Sequence, residues 1–245
     1  MTRGKRAFDL VGAGLGVVLL APLLALLGLL VKAEDGGPVL FRQERVGYRG
    51  RRFRIWKFRT MVPDAELRGL PLTVGRDPRV TRIGAWMRRL KLDELPQLFN
   101  VLVGDMSLVG PRPDVPRYVA LYRAPERRVL ELVPGMTDEA SIRYLGESAM
   151  LAASPDPERN YLAEIAPEKI RLSLAYAARA TVWSDLGVIL KTLRHLYWSA
   201  AGIQLTAPLG RADPAVDSRS TPRSDRGRSA ASAATIPRTN QNCLR

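Results

Sequence analysis

From Leu10 to Val31 the residues are almost all apolar. As a helix of about 20 residues such a run crosses a hydrocarbon layer of about 30 Å. Arg3, Lys5 and Arg6 precede it, and Lys32-Ala33-Glu34-Asp35 follow with no small-residue cleavage site, so it does not read as a secretory signal peptide. Lys/Arg-rich flanks belong on the cytoplasmic side. Here both flanks are basic, because Lys32 is followed by Arg42, Arg45, Arg49, Arg51 and Arg52. Pro22 lies mid-run, where it removes a backbone donor. Together these features predict a re-entrant helix hairpin that enters and leaves on one face, with its break at Pro22. A single kinked span is the alternative, since proline is tolerated in membrane helices. Gly12-Ala13-Gly14-Leu15-Gly16 inside the run reads as close helix packing.

After the run the periodicity changes. Phe41 to Met61 holds two short alternating stretches separated by Gly47-Tyr48-Arg49-Gly50, the pattern of a β-hairpin. Its second strand puts Lys57 and Arg59 on one face and Trp56 and Phe58 on the other. Helical spacing returns from Val80 to Val103, interrupted before Pro96, so a second helix is expected to start near Asp93 and to stop at Gly104. Further helices are expected over Val115–Leu132, Pro167–Thr181 and Trp183–Ala200, with a rigid loop at Gly110-Pro111-Arg112-Pro113. The last helix carries Trp183, Leu186, Ile189, Leu193, Leu196, Tyr197 and Trp198, which suits either a membrane interface or core packing. Beyond Ala207 the chain is rich in Arg, Ser, Pro, Ala and Thr without period, the composition of a disordered basic tail. The expected fold is α+β, mostly α. A basic N-terminus and membrane helix occupy residues 1–33, a catalytic domain with a short β-hairpin and amphipathic interfacial helices 34–206, and the tail 207–245.

Composition narrows the chemistry. A formal net charge of +14 predicts anionic partners: nucleic acid, anionic lipid or a phosphorylated substrate. The single cysteine, Cys243, rules out an intrachain disulfide framework or thiolate cluster, and the single histidine, His195, leaves little room for histidine-based triads or H-E-x-x-H zinc sites. Neither a Walker-type loop nor a G-x-G-x-x-G after a strand is present.

Asp93 and Glu94 stand out as adjacent carboxylates near Arg88, Arg89 and Lys91. Neighbouring helical residues point in different directions, so the two divide roles rather than share a proton. One reading makes Asp93 an anionic nucleophile and Glu94 the holder of a hard divalent cation. The other makes Asp93 an N-cap and Glu94 a first-turn acid complementing the helix dipole. Lys57, Arg59, Arg88, Arg89 and Arg112 together suit a phosphate basin, with Arg112 held between two prolines; for each, a scattered surface charge is the plain alternative.

In order along the chain, these segments resemble the bacterial sugar transferases, the small monotopic phosphoglycosyl transferases. The matching pieces are Lys5-Arg6-Ala7-Phe8-Asp9, Pro38 to Gly47, Lys57-Phe58-Arg59-Thr60-Met61, Asp77 to Gly84, Leu92-Asp93-Glu94-Leu95-Pro96-Gln97-Leu98-Phe99-Asn100-Val101-Leu102, and Gly104 to Pro113. The resemblance spans roughly Lys5 to Thr192 and looks like the minimal form of the family.

It implies transfer of a phospho-sugar from a UDP-sugar to undecaprenyl phosphate with release of UMP, the first membrane step of exopolysaccharide, capsule, O-antigen or glycoconjugate assembly. It also implies a ping-pong route through Asp93, a magnesium site at Glu94, and phosphate or nucleotide contact at Arg112, with Lys57, Arg59 and Arg88 in support. The implied location is the cytoplasmic face of the bacterial inner membrane. The implied partners are membrane lipids and downstream glycosyltransferases, with no nucleic acid. Two features depart from the commoner pattern: Ala21-Pro22 replaces Ser-Pro at the hairpin apex, and Pro134-Gly135-Met136-Thr137-Asp138 replaces Pro-Gly-x-Thr-Gly. A membrane-tethered basic binding module and a catalytically silent scaffold are the competing functional classes.

Overall fold

The structure is a computed structural model that describes residues 1–65, 72–75 and 77–200. The tail expected over 207–245 lies outside the described residues.

The apolar run forms most of α1, Arg3–Asp35. Thr2 caps its start by accepting from the Lys5 N–H at 3.2 Å, and Gly36, with φ 72°, ends it in the left-handed conformation that glycine adopts freely. The chain stays helical through Pro22. The interruption expected there is therefore a missing donor inside one helix, because proline removes one backbone bond while the apolar helix formers around it keep the others. Among the described residues, α1 is the one helix long and apolar enough to cross a membrane.

One face of α1 is covered by the rest of the domain. Ala13, Val17 and Leu20 pack with Phe53, Ile55, Leu98, Val101 and Met106; farther along, Leu27 and Val31 pack with Phe58 and Met87. Gly12 and Gly16 allow this approach: a Cβ on Gly12 would lie 2.7 Å from Leu108 Cδ1, and one on Gly16 3.2 Å from Leu98 Cδ1. The close packing read from the glycines holds at these two positions, whereas Gly14 faces open space. The other face leaves Val11, Leu15, Val18, Leu19, Leu26 and Leu29 exposed, Leu19 by 75%.

Both ends of α1 are tied to the same body. Arg6 donates to the Val101 and Leu102 carbonyls at 2.6 and 2.9 Å, Asp9 accepts from the Leu108 N–H at 3.1 Å, and Lys5 bridges Asp9 and Asp185. At the far end Glu34 accepts from the Ile83 N–H at 3.0 Å, and Asp35 is paired with Arg59.

The expected hairpin follows: β1 (Leu40–Val46) pairs antiparallel with β2 (Arg52–Phe58) in the register Leu40↔Phe58 to Val46↔Arg52. A 3-10 turn at Tyr48–Gly50 joins them, with Arg49 and Gly50 at positive φ. Next come α2 (Arg82–Arg89), capped by Thr81, a 3-10 turn at Leu92–Glu94, and α3 (Gln97–Val103), which ends at Gly104 with φ 93° as its sequence predicts.

Strand β3 (Ser107–Val109) pairs parallel with β4 (Gly135–Thr137), a three-residue contact too short to register as a pattern. The long helix expected over Val115–Leu132 is a correction. Only α4 (Pro116–Val119) and a 3-10 segment, Glu126–Glu131, form there, because Pro125 has no N–H to bond the Leu121 carbonyl and its ring crowds that carbonyl.

Three short helices were not expected: α5 (Glu139–Arg143), α6 (Glu147–Ala152) and α7 (Pro157–Asn160). A π turn at Tyr161–Ile165 then leads into α8 (Ala166–Ala177), and α9 (Val182–Ala200) closes the described chain; these last two helices match the periodicity. In α9, Val188 is buried while Trp183, Leu190, Leu193 and Tyr197 stay exposed, so core packing accounts for only part of its apolar surface. The described fold is mostly helical with two small sheets.

Candidate active site

Asp93 and Glu94 come from the 3-10 turn between α2 and α3, entered through Lys91 at a positive φ of 57°. A non-glycine residue in the left-handed region is unfavourable. Its effect here is a sharp turn that carries the two carboxylates inward.

Asp93 is 5% exposed, and its Oδ1 has no hydrogen-bond partner. It therefore caps no helix: the residue preceding α3 is Pro96, and no side-chain cap bond is made there. Burial, followed by the charge of Glu94, pushes the Asp93 carboxyl above its ordinary range, while Lys57, Lys91 and Arg88 oppose the rise.

Glu94 has the opposite fate. Burial would raise it, but Arg112 and Lys57 outweigh burial and hold its carboxyl well below the usual range. Lys57 Nζ donates to Glu94 Oε1 at 3.0 Å; Arg112 Nη1 donates to Oε2 at 3.0 Å while its Nη2 grips Oε1. Fork and carboxylate match in geometry, which gives the pair direction as well as strength. Burial in turn pushes Lys57 down to about 8, against the pull of Glu94. Adjacent carboxylates whose ionisation is pushed apart are the arrangement expected of two groups with separate tasks.

The other expected site residues divide. Arg88 Nη1 donates to Thr73 Oγ1 at 3.1 Å, and its charge acts on Asp93. Arg59 is directed elsewhere: β2 ends at Phe58, and Arg59 donates to the Pro38 carbonyl at 2.6 Å and pairs with Asp35 at the end of α1. It ties α1 to the hairpin and does not join Lys57 at the carboxylates. Arg89 is exposed on α2.

Sequence reasoning missed what holds Arg112 in place. Asp114, two residues on, accepts from its neighbour Val115 N–H at 2.8 Å and from Tyr161 Oη at 2.8 Å, while Arg45 Nη1 donates to the Pro113 carbonyl at 3.2 Å. The Asp114 carbonyl also accepts from Val46 N–H at 3.0 Å, which fixes the loop against β1. These partners lie far apart in the chain, so no local motif announces them. Gln97 was missed as well; it is 1% exposed and neither of its amide atoms has a partner. A separate surface cavity of about 490 Å³, lined by Arg117, Tyr122, Arg159 and Ile170 among others, does not include the carboxylate pair.

The chain matches a family model described as bacterial sugar transferase over residues 1–199. Among curated relatives, the undecaprenyl-phosphate glucose phosphotransferase of Komagataeibacter xylinus is 43% identical over 202 residues, which cover 80% of this chain and 36% of that protein. The UDP-glucose:undecaprenyl-phosphate glucose-1-phosphate transferase of Caulobacter vibrioides is 37% identical over 203 residues, 78% of this chain and 69% of its own length. A UDP-N-acetylgalactosamine-undecaprenyl-phosphate N-acetylgalactosaminephosphotransferase of Aeromonas hydrophila is 37% identical over 193 residues, 78% of this chain and 43% of its own. The chain thus spans less than half the length of the first and third of these relatives.

Proposed function

The chain belongs to the bacterial sugar transferase family, and on that footing we propose that it moves a sugar 1-phosphate from a UDP-sugar to undecaprenyl phosphate, releasing UMP, as the first membrane step of polysaccharide or glycoconjugate assembly. The observation that carries the reading is the pair itself: a buried Asp93 whose Oδ1 has no partner, beside a Glu94 held by two cations.

In the first half-reaction a carboxylate oxygen of Asp93 attacks the phosphorus that bears the sugar. The bond from that phosphorus to the bridging oxygen breaks, and its electron pair leaves with UMP. In the second, an oxygen of undecaprenyl phosphate attacks the same phosphorus and the bond to Asp93 breaks, restoring the carboxylate. Splitting one displacement into two is what a carboxylate nucleophile offers. Arg112, Lys57 and Arg88 supply fixed positive charge where phosphate charge develops.

Magnesium is proposed to enter with the diphosphate. A carboxylate accepts about four hydrogen bonds; Glu94 Oε1 takes two and Oε2 one, which leaves room on Oε2 for a hard cation. An ion held through that oxygen shares the rest of its shell with phosphate and water. When bound, it supplies neutralisation of the departing phosphate.

Residues 34–206 are assigned as the catalytic domain on the cytoplasmic face of the inner membrane. Support for one-sided membrane entry comes from α1, whose ends both bond the same body while its outer face stays apolar and exposed. The exposed aromatic and aliphatic face of α9 supports an interfacial position for that helix.

The decisive experiment incubates purified protein with magnesium and a panel of UDP-sugars. A covalent route releases UMP in a stoichiometric burst without undecaprenyl phosphate and leaves a sugar phosphate on the peptide containing Asp93, and Asp93→Asn abolishes both. Release that waits for acceptor, or near-normal turnover by Asp93→Asn, would overturn the covalent route; a basic binding module or silent scaffold releases no UMP at all.

A further inference from the structure

Three buried polar residues occur where the 3-10 turn runs into α3. Right-handed backbone at Leu95 and Pro96, with i→i−3 bonds from Leu95 to Leu92 and from Leu98 to Leu95, carries the chain from Asp93 to Gln97 four residues on, and Asn100 follows three residues later. Asn100, 0% exposed, uses both ends of its amide: Oδ1 accepts from Trp56 N–H at 2.9 Å and Nδ2 donates to the Arg54 carbonyl at 2.9 Å, which staples α3 to β2. Gln97 is equally buried, yet its Oε1 and Nε2 bond nothing, and Asp93 Oδ1, one turn earlier, bonds nothing either.

A buried amide without partners weakens a fold, and an apolar residue of the same size would pack there without that cost. Gln97 therefore does not serve the fold in the way Asn100 does. About one turn before it in the chain comes the one carboxylate oxygen at the site that is sealed from solvent and unpartnered, Asp93 Oδ1.

We propose that Gln97 is the positioning residue of the nucleophile: its Nε2–H donates to Asp93 Oδ1 when the donor diphosphate enters, fixing the carboxylate so that Oδ2 is the oxygen that attacks phosphorus. This rests on the reading of Asp93 given above. Gln97 exchanges no proton and contacts no substrate. The bond formed is Asp93 Oδ2 to phosphorus, and the bond broken is phosphorus to the UMP oxygen, which keeps the electron pair. A nucleophile misplaced by about 1 Å loses about 100-fold in rate, and that is the scale of effect expected from removing the donor.

The test compares full-length wild type with Gln97→Leu and Gln97→Met in detergent, measuring the melting temperature, the KM for the UDP-sugar and the rate of the acceptor-independent UMP burst. The expected result is a melting temperature equal to or above wild type, a KM within about twofold, and a burst slowed by about 100-fold. A burst at the wild-type rate in either folded variant overturns the proposal, because the amide then only fills space. A raised KM with an unchanged burst rate at saturation also overturns it, since Gln97 would then bind donor. Loss of fold in both variants overturns it as well, because the amide would be holding the structure. A wild type that shows no burst removes the covalent reading and this inference together, whereas a normal wild-type burst with normal variants removes this inference alone.

Discussion

Glu94 lies between Lys57 and Arg112, and its charge serves both the fold and the proposed chemistry. Glu94→Gln keeps the shape but leaves two cations facing a neutral amide. The expected cost is about 2 kcal/mol of stability, on the scale of hydrogen bonds to charged groups, read as a melting temperature lower by about 4–8 °C. Turnover should fall by at least about 100-fold, the loss seen when one preorganised electrostatic group is removed. A variant that melts normally and turns over normally, or a wild type fully active in excess chelator, would contradict these roles. Lys57 yields a pH prediction. Burial brings its ammonium down to about 8, so the cation is present below that pH and is lost above it. Binding of UDP to metal-free protein, followed by calorimetry, should weaken as pH rises through about 8. Lys57→Arg should remove that step, because a guanidinium stays charged throughout; an unchanged step in the arginine variant would assign it to another group.

At the scale of elements, the site depends on how tightly α2 is seated beside the hairpin. Gly84, in the first turn of α2, lies against the backbone of Thr60: a Cβ there would fall 2.2 Å from the Thr60 carbonyl oxygen, a distance no small adjustment relieves. Gly84→Ala should therefore displace α2, and with it Arg88 and the turn bearing Asp93. The expected loss is about 3 kcal/mol, at the upper end for overpacking, seen as a lower melting temperature together with lost UMP release. Unchanged melting would mean that α2 can shift without strain. Arg59 shows the same dependence from the other side: a strand end sends it to Asp35, so a residue one alternation away from Lys57 ties down the end of α1.

For the whole molecule, the two ends of α1 are the decisive feature. Arg6 bonds carbonyls at the end of α3, and Glu34 bonds the first turn of α2. Each charge meets the helix end that attracts it. A helix held at both ends by one body cannot place that body on both sides of a bilayer, so Thr2 is expected on the cytoplasmic side. In a Cys243→Ser background, Thr2→Cys should resist an impermeant thiol reagent applied to intact cells and react once they are opened. Strong labelling from outside would restore a spanning helix.

Much of this architecture is legible in the sequence because it is local. The apolar run, the alternation of the hairpin and the stop of α3 at Gly104 each depend on residues a few positions apart, and backbone preference with side-chain period is enough to set them, whereas the helix start expected near Asp93 is a 3-10 turn and α3 begins at Gln97. The identity of the carboxylate pair is local too. Whether Asp93 caps a helix or lies unpartnered, whether Arg59 joins Lys57, and what secures Arg112 are questions about residues brought together across the chain, such as Arg112 on Glu94 and Tyr161 on Asp114. Their answers come from which polar groups find partners once water is excluded. That is decided by packing between distant segments, and it leaves no period or spacing in the chain to be read.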